Sequence, residues 1–106
     1  MAKPLILITN DDGIAAPGIR ALIAVMKEIG EVVVVAPDSP QSAMGHAITI
    51  NNTLKLERVH IDKEIDQEYS CSGTPVDCVK IAVNEILNRK PDLCVSGINH
   101  GSNSSI

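Results

Sequence analysis

Two adjacent aspartates, Asp11 and Asp12, are the residues of this chain whose types and spacing are best suited to chemistry. They follow the apolar run at 5–9, a short and unbroken stretch of branched side chains that is typical of a buried parallel strand. Adjacent carboxylates repel each other and lose hydration when partly buried, unless a positive group lies beside them. A divalent cation would supply that charge, so the pair predicts a metal site. The alternative is that the two acids only stabilise the start of the following helix.

More oxygen donors follow two other apolar segments. Ser42 comes after the run at 31–36, and Asn99 and Asn103 come after the run at 93–96. Because the carboxyl ends of parallel strands meet at one edge of a sheet, we expect these loops to converge on the aspartates. Oxygen donors without a histidine–cysteine cluster favour Mg²⁺, Mn²⁺ or Ca²⁺. From the residues alone, Ser42 is better explained as a turn serine, whereas a turn role and metal ligation explain Asn99 about equally well.

The segment around Gly73 and Thr74 offers a second kind of binding group. Thr74 is a suitable N-cap, Pro75 suits the first helical turn, and Asp77 completes an acidic capping box. Free N–H groups at a helix start and in glycine-containing loops hold phosphate oxygens, although turn and cap chemistry explains Gly73 and Thr74 equally well. A metal ion beside backbone donors, with no strong protein nucleophile required, predicts metal-assisted hydrolysis of a phosphate ester.

Hydrophobic patterning predicts an α/β fold that would position these loops. Strand followed by helix and strand within about thirty residues is typical of a right-handed βαβ unit with parallel strands. The 106 residues suit one domain, 1–106, and the core must be aliphatic because the chain has one Tyr and no Phe or Trp. The predicted strands span 4–9, 31–36, 67–70 and 93–96, with short extended pieces at 48–51 and 54–59, and the predicted helices span 18–29 and 75–89.

Charge and cysteine content exclude several classes of protein. The net charge of −4 argues against a partner such as duplex nucleic acid or an anionic membrane, and no apolar run approaches the ~20 residues of a membrane span. Three cysteines without a C-x-x-C pair argue against a disulfide framework or zinc site and fit a reduced, cytoplasmic setting. We expect Cys71, Cys78 and Cys94 to act as small apolar side chains that fill space in the core. The mixed charges at 57–68 predict a solvated face or loop.

Rival chemistries lack their required residues. A cysteine phosphatase needs an arginine six positions after its nucleophile, and after Cys71 that position is Asp77. A P-loop needs G-K-[ST], which is absent. A response-regulator receiver is the strongest non-enzyme alternative, since it has an acidic pair after its first strand and Mg²⁺ in its site. It also needs a phosphoacceptor aspartate ending the third strand and a lysine after the last, and neither is evident near Ile50 or Ser96.

Five segments in order resemble the SurE (survival protein E) family: T-N-D-D-G at 9–13, V-A-P-D-S-P-Q-S-A at 35–43, G-H-A-I-T at 45–49, S-G-T-P-V-D-C-V at 72–79 and V-S-G-I-N-H-G at 95–101. The resemblance implies a Rossmann-like three-layer α/β/α fold with a mainly parallel sheet. It implies a divalent-metal-dependent phosphatase that hydrolyses nucleoside 5′- and 3′-monophosphates, and in some members short polyphosphate. It also implies a homodimer or homotetramer for a full-length member.

The resemblance also implies roles for individual residues. One divalent cation, Mg²⁺ or Mn²⁺, would be held by Asp11, Asp12, Ser42 and Asn99, where many members have arginine before the serine. In the mechanism that we expect for such a site, one of the two catalytic aspartates, Asp11 or Asp12, accepts or orients the proton of the attacking water, and Asp12 is the favoured one. The expected phosphate or substrate contacts are Asn10, Gly45, Gly73, Thr74 and Asn103.

The family's chains are much longer than 106 residues, so the resemblance covers only the amino-terminal portion of the family fold. We therefore expect an incomplete version of that fold. The alternative function is a fragment that binds metal or phosphate without turnover.

Overall fold

The computed structural model describes residues 3–39, 55–87 and 90–99, and strands and helices largely alternate along them. The elements are β1 (Leu5–Thr9), α1 (Pro17–Met26), β2 (Glu31–Pro37), β3 (Leu56–Arg58), β4 (Gln67–Cys71), α2 (Pro75–Ile81) and β5 (Leu93–Ser96). The four main predicted strands are confirmed to within one residue at either end. The predicted extended piece at 48–51 lies outside the described residues.

The described strands form one sheet in the order β3-β4-β2-β1-β5. β4, β2, β1 and β5 are parallel, and only β3 runs antiparallel, as a hairpin partner of β4. Counted along the chain, the four parallel strands therefore lie in the order third, second, first, fourth. Rossmann-type sheets have this order, whereas receivers place the first strand between the second and third. The Rossmann-like prediction is confirmed and the receiver alternative is wrong.

Side chains that alternate along β1 divide the core into two halves. Ile6 and Ile8 pack with Ile19 and Ile23 of α1 on one face of the sheet. On the other face, Leu5 and Leu7 pack with residues of α2 and its continuation. Full burial of an aliphatic side chain stabilises the fold by about 1.5–3 kcal/mol. Both faces of the sheet are covered, which explains why β1 and β2 have no polar alternation.

Both predicted helices extend too far. α1 ends at Met26 rather than residue 29, because the chain turns there: the N–H groups of Ile29 and Gly30 both donate to the carbonyl of Met26. The second helix widens after Ile81 into a π-helical turn, Ala82–Ile86, and the backbone of Leu87 is already extended. Apolar spacing continued past both ends, so periodicity alone did not show where the helices stop.

Burial corrects two sequence-based expectations. Glu68, within the supposedly solvated charged stretch, is fully buried in β4. Cys71 and Cys78 are buried fillers as predicted, but Cys94 on β5 is exposed. No helix among the described residues is long and apolar enough to cross a membrane.

Candidate active site at the carboxyl end of the sheet

Asp11 and Asn99, 88 positions apart in the chain, contact each other directly beyond the ends of β1 and β5. The backbone N–H of Asp11 donates to Asn99 Oδ1 over 2.9 Å. Asn99 Nδ2 in turn donates to Asp11 Oδ2 over 3.2 Å. The two side chains thus present a carboxylate and a carboxamide oxygen to the same region, as the sequence predicts.

The contact lies at the topological switch point of the sheet. From β1 the chain crosses to β2 on one side, while β5 pairs with the other side of β1. In open α/β sheets, ligands bind outside the carboxyl ends of the strands at this kind of point. Strand order therefore supports a site here independently of the residue types.

A tight turn holds the acidic pair in place. Asn10 is fully buried, and its side chain accepts from the N–H of Gly13 and donates to the carbonyl of the same residue. Gly13 has φ of +109°, a conformation that other residues rarely adopt. Asp11 is exposed at the tip of the turn and Asp12 is half-buried. Asn10 shapes this turn, and its contact with phosphate stays a prediction.

Backbone hydrogen bonds join the ends of neighbouring strands into one rim. The N–H of Gly97 donates to Thr9 O at 3.0 Å, which joins β5 to β1. The N–H of Ile14 donates to Pro37 O at 2.9 Å, which ties the acidic loop to β2. The N–H of Asp38 donates to Cys71 O, which ties β2 to β4.

The oxygen donors at this rim fit a hard divalent cation. Two adjacent carboxylates beside a carboxamide oxygen are the ligand chemistry of Mg²⁺ and Mn²⁺. The hydroxyl of Thr9, directly before the acidic turn, is buried and has no hydrogen-bond partner among residues 3–39, 55–87 and 90–99. In the same ranges, no three His, Cys, Asp or Glu side chains gather as a metal cluster, so protein ligands beyond the two carboxylates would be amide or hydroxyl oxygens. Ser42, Gly45 and Asn103 lie outside the described residues.

Thr74 caps α2 as predicted, with a reciprocal capping box. Its Oγ1 accepts from the N–H of Asp77 at 3.2 Å, while its own N–H donates to Asp77 Oδ2 at 3.1 Å. The Thr74 hydroxyl also donates to that carboxylate oxygen at 3.0 Å. A phosphate contact from either group would therefore have to displace Asp77. Gly73 is half-buried, and its N–H points to Cys71 Sγ at 3.4 Å.

Removal of this cap gives a test of its structural role. We expect Thr74→Ala to lower the free energy of unfolding by about 1 kcal/mol, the usual cost of losing an N-cap. Thr74→Ser keeps the hydroxyl and should unfold like the parent chain. Equilibrium urea unfolding measures both variants. A parental midpoint for Thr74→Ala would show that the box contributes nothing measurable.

The buried thiol of Cys78 is unsuited to nucleophilic chemistry. Burial raises the pKa of Cys78 far above its usual range, and the hydrogen bond and charge of Cys71 act in the same direction. The reactive form of cysteine is the thiolate, so Cys78 is held in its unreactive state.

Two residues that shape the rim escaped the sequence analysis. Gly18, in the first turn of α1, allows the backbone of Ile98 to pack against the helix, which brings the Asn99 loop to its place. Arg20, one turn into α1, donates from Nε to the carbonyl of Ile14. For Gly18, the only signal in the sequence was a glycine at the start of a predicted helix. For Arg20, no nearby sequence pattern indicated its role.

Comparison with known proteins gives one consistent result. The family model described as "Survival protein SurE" matches residues 6–106. The "5'-nucleotidase SurE" of Flavobacterium psychrophilum is 78% identical over 106 residues, which is 100% of this chain and 41% of that protein. The protein of the same name from Flavobacterium johnsoniae is 81% identical over 98% of this chain and 40% of its own length.

A solved structure agrees with these relatives. The crystal structure of the SurE protein from Aquifex aeolicus superposes with a TM-score of 0.77 at 46% identity, over 94% of this chain and 39% of that one. The chain therefore spans about two-fifths of the length of the relatives it matches. With a family model matched over 101 positions (6 to 106 inclusive), relatives at 78% and 81% identity and a shared fold, the chain belongs to the survival protein SurE family.

Proposed function

We propose that the rim formed by the β1 and β5 loops belongs to a divalent-metal-dependent phosphatase that hydrolyses nucleoside 5′- and 3′-monophosphates, with short polyphosphate as a further substrate. The observation that carries the proposal is the mutual hydrogen bonding of Asp11 and Asn99 at the switch point of the sheet. The names of the relatives, 5'-nucleotidase SurE, supply the substrate class.

Four residues would hold the cation: Asp11, Asp12, Ser42 and Asn99. Asp11 and Asn99 already lie together, and Asp12 is adjacent to Asp11 in the same turn. Mg²⁺ and Mn²⁺ both suit oxygen ligands of this kind. When bound, such an ion supplies positive charge that polarises a phosphoryl group and acidifies nearby water.

The protein's own groups do the remaining work in this proposal. One of the two aspartates, Asp11 or Asp12, accepts or orients the proton of the attacking water at its carboxylate, and the half-buried Asp12 is the favoured one. Backbone N–H groups stabilise the charge that develops on the phosphoryl oxygens. The residues proposed to contact phosphate or substrate are Asn10, Gly45, Gly73, Thr74 and Asn103. Of these, Asn10 and Thr74 are bonded within the protein, so contact from them requires rearrangement.

The setting of the whole protein is part of the same proposal. Residues 1–106 would form one domain of a cytoplasmic enzyme, and a full-length member would assemble as a homodimer or homotetramer. Because the relatives are about two and a half times as long, residues outside 1–106 would supply the remaining substrate-binding groups of the site. The same difference in length favours a second candidate function, in which the chain binds metal but does not hydrolyse phosphate esters.

Phosphate release from a nucleoside monophosphate tests the proposal. The chain is assayed with Mn²⁺, with Mg²⁺ and with chelator, while Mn²⁺ binding is measured by electron paramagnetic resonance of the free ion. Metal-dependent release supports the phosphatase. Binding without release supports the second candidate, and absence of both contradicts the metal site.

A further inference from the structure

Arg20 connects the acidic loop to the buried interior of the protein. It lies near the start of α1, and its side chain is 21% exposed. Its Nε donates to the carbonyl of Ile14 at 3.1 Å, and its Nη1 donates to Glu68 Oε2 at 2.6 Å. One guanidinium therefore joins the residue two positions after Asp12 to the second residue of β4.

Glu68 is a fixed anchor for this arginine. Its side chain is 0% exposed. Its second oxygen, Oε1, accepts the N–H groups of Ile61 at 2.9 Å and Asp62 at 3.0 Å. Both carboxylate oxygens thus have partners, which is the condition under which a charge can be buried. Because β4 is paired with β2 through the register Val34↔Glu68, the carboxylate cannot easily shift.

Ile14 is the last residue of the acidic turn, 10–14. Its N–H donates to Pro37 O and its carbonyl accepts from Arg20, so both polar backbone groups of this residue are held. Asn10 holds the other end of the turn through Gly13. Asp11 and Asp12 lie between these two anchored points.

We propose that Arg20, fixed by Glu68, is a positioning residue that sets the conformation of the 10–14 turn and thereby the Asp11–Asn99 pairing on which metal affinity depends. The proposal rests on the proposed function for its metal, but its structural part does not. The fork of the guanidinium is required because two acceptors in different directions are bonded at once. Lysine keeps the charge but has no such fork.

Arg20→Lys is the informative variant, and Lys27→Gln is its matched control. Lys27 lies directly after α1 and likewise forms ion pairs with the segment that precedes Glu68, through Asp62 at 3.1 Å and Glu64 at 2.7 Å. Unlike the bonds of Arg20, these side-chain bonds do not reach the acidic turn. Arg20→Lys keeps a positive charge beside the fully buried Glu68 carboxylate, so the variant is expected to fold.

The first readout needs no metal. The amide of Asp11, which donates to Asn99, is followed by ¹H–¹⁵N NMR and hydrogen exchange in the metal-free chain. We expect Arg20→Lys to shift this resonance and increase its exchange rate at least about tenfold, the equivalent of 1.4 kcal/mol in opening free energy. Lys27→Gln should leave the Asp11 amide as in the parent.

The second readout is Mn²⁺ affinity. Residues that orient metal ligands usually change affinity or activity by about 10–100-fold when replaced, and we expect a loss in this range for Arg20→Lys but not for Lys27→Gln. A chain that binds Mn²⁺ without releasing phosphate would contradict the proposed function and leave this comparison intact. If the parent chain binds no Mn²⁺, the positioning role of Arg20 is tested by the resonance and exchange rate of the Asp11 amide alone.

Parental Asp11 exchange in folded Arg20→Lys would overturn the positioning role. Should that variant fail to fold, the double variant Arg20→Gln/Glu68→Gln replaces it, because it leaves no unpaired buried charge. The same loss of Asp11 protection is expected there, and parental protection in the double variant would overturn the proposal.

Discussion

Asp11→Asn is expected to abolish metal-dependent phosphate release and to weaken Mn²⁺ binding by at least about 100-fold, the upper end of what replacement of a residue behind a metal ligand costs. The substitution keeps the size of the side chain but removes its negative charge, and the affinity of a divalent cation falls when a site loses ligand charge. Asp11 is exposed, and an amide oxygen at this position can still accept from Asn99 Nδ2. The free energy of unfolding should therefore change little.

The matched control is Glu28→Gln, which removes one negative charge from an exposed position just after α1, away from the rim. It should release phosphate and bind Mn²⁺ like the parent chain. Circular dichroism and thermal unfolding of both variants establish that they are folded. Parental Mn²⁺ affinity in Asp11→Asn would remove Asp11 from the metal site, whatever happened to turnover.

Gly18→Ala is expected to destabilise the fold and to loosen the metal site at the same time. Helix propensity alone would favour alanine by up to about 1 kcal/mol. A methyl group at this position, however, would overlap the carbonyl oxygen of Ile98 and contact its carbonyl carbon at 3.0 Å. Overpacking of this kind costs about 1–3 kcal/mol, so a net loss in the free energy of unfolding is expected. A lower free energy of unfolding would show that overpacking against Ile98 dominates, and a higher one would show that helix propensity dominates.

Because Ile98 precedes Asn99, its displacement should also separate Asn99 from Asp11. Urea unfolding measures the stability change, and Mn²⁺ titration measures the site. Ala24→Ser adds one atom to an exposed position of the same helix and should change the free energy of unfolding by no more than about 0.5 kcal/mol. An increase in stability for Gly18→Ala would show that Ile98 does not pack against α1 in solution.

Features with local causes were predictable from the sequence. The unbroken apolar runs gave the strands because both faces of the sheet are covered, and Thr74 with Asp77 gave the capping box because its bonds span three residues. The Asp11–Asn99 meeting was also predictable, since each residue follows a strand and parallel strands share an edge.

Features that depend on distant partners were not predictable in this way. The burial of Glu68 depends on Arg20, 48 positions away, so a charged stretch looked solvated. The role of Gly18 depends on Ile98, which only the folded sheet brings to the helix. Helix ends were also missed, because Ile29 continues the apolar spacing of α1 although the chain has already turned and the side chain is 52% exposed.

The pairing of β1 with β5 has a consequence for when the proposed site exists. The β1–α1–β2 unit is built from contacts between near neighbours in the chain, but Asn99 contacts Asp11, 88 positions earlier in the chain, only after the intervening segment has folded back. Contacts that close long loops tend to form late. A partly folded chain would then carry both carboxylates without the amide that completes their arrangement. A cation that binds only the completed rim stabilises only the fully paired sheet, so its presence would favour the last step of assembly over every earlier one.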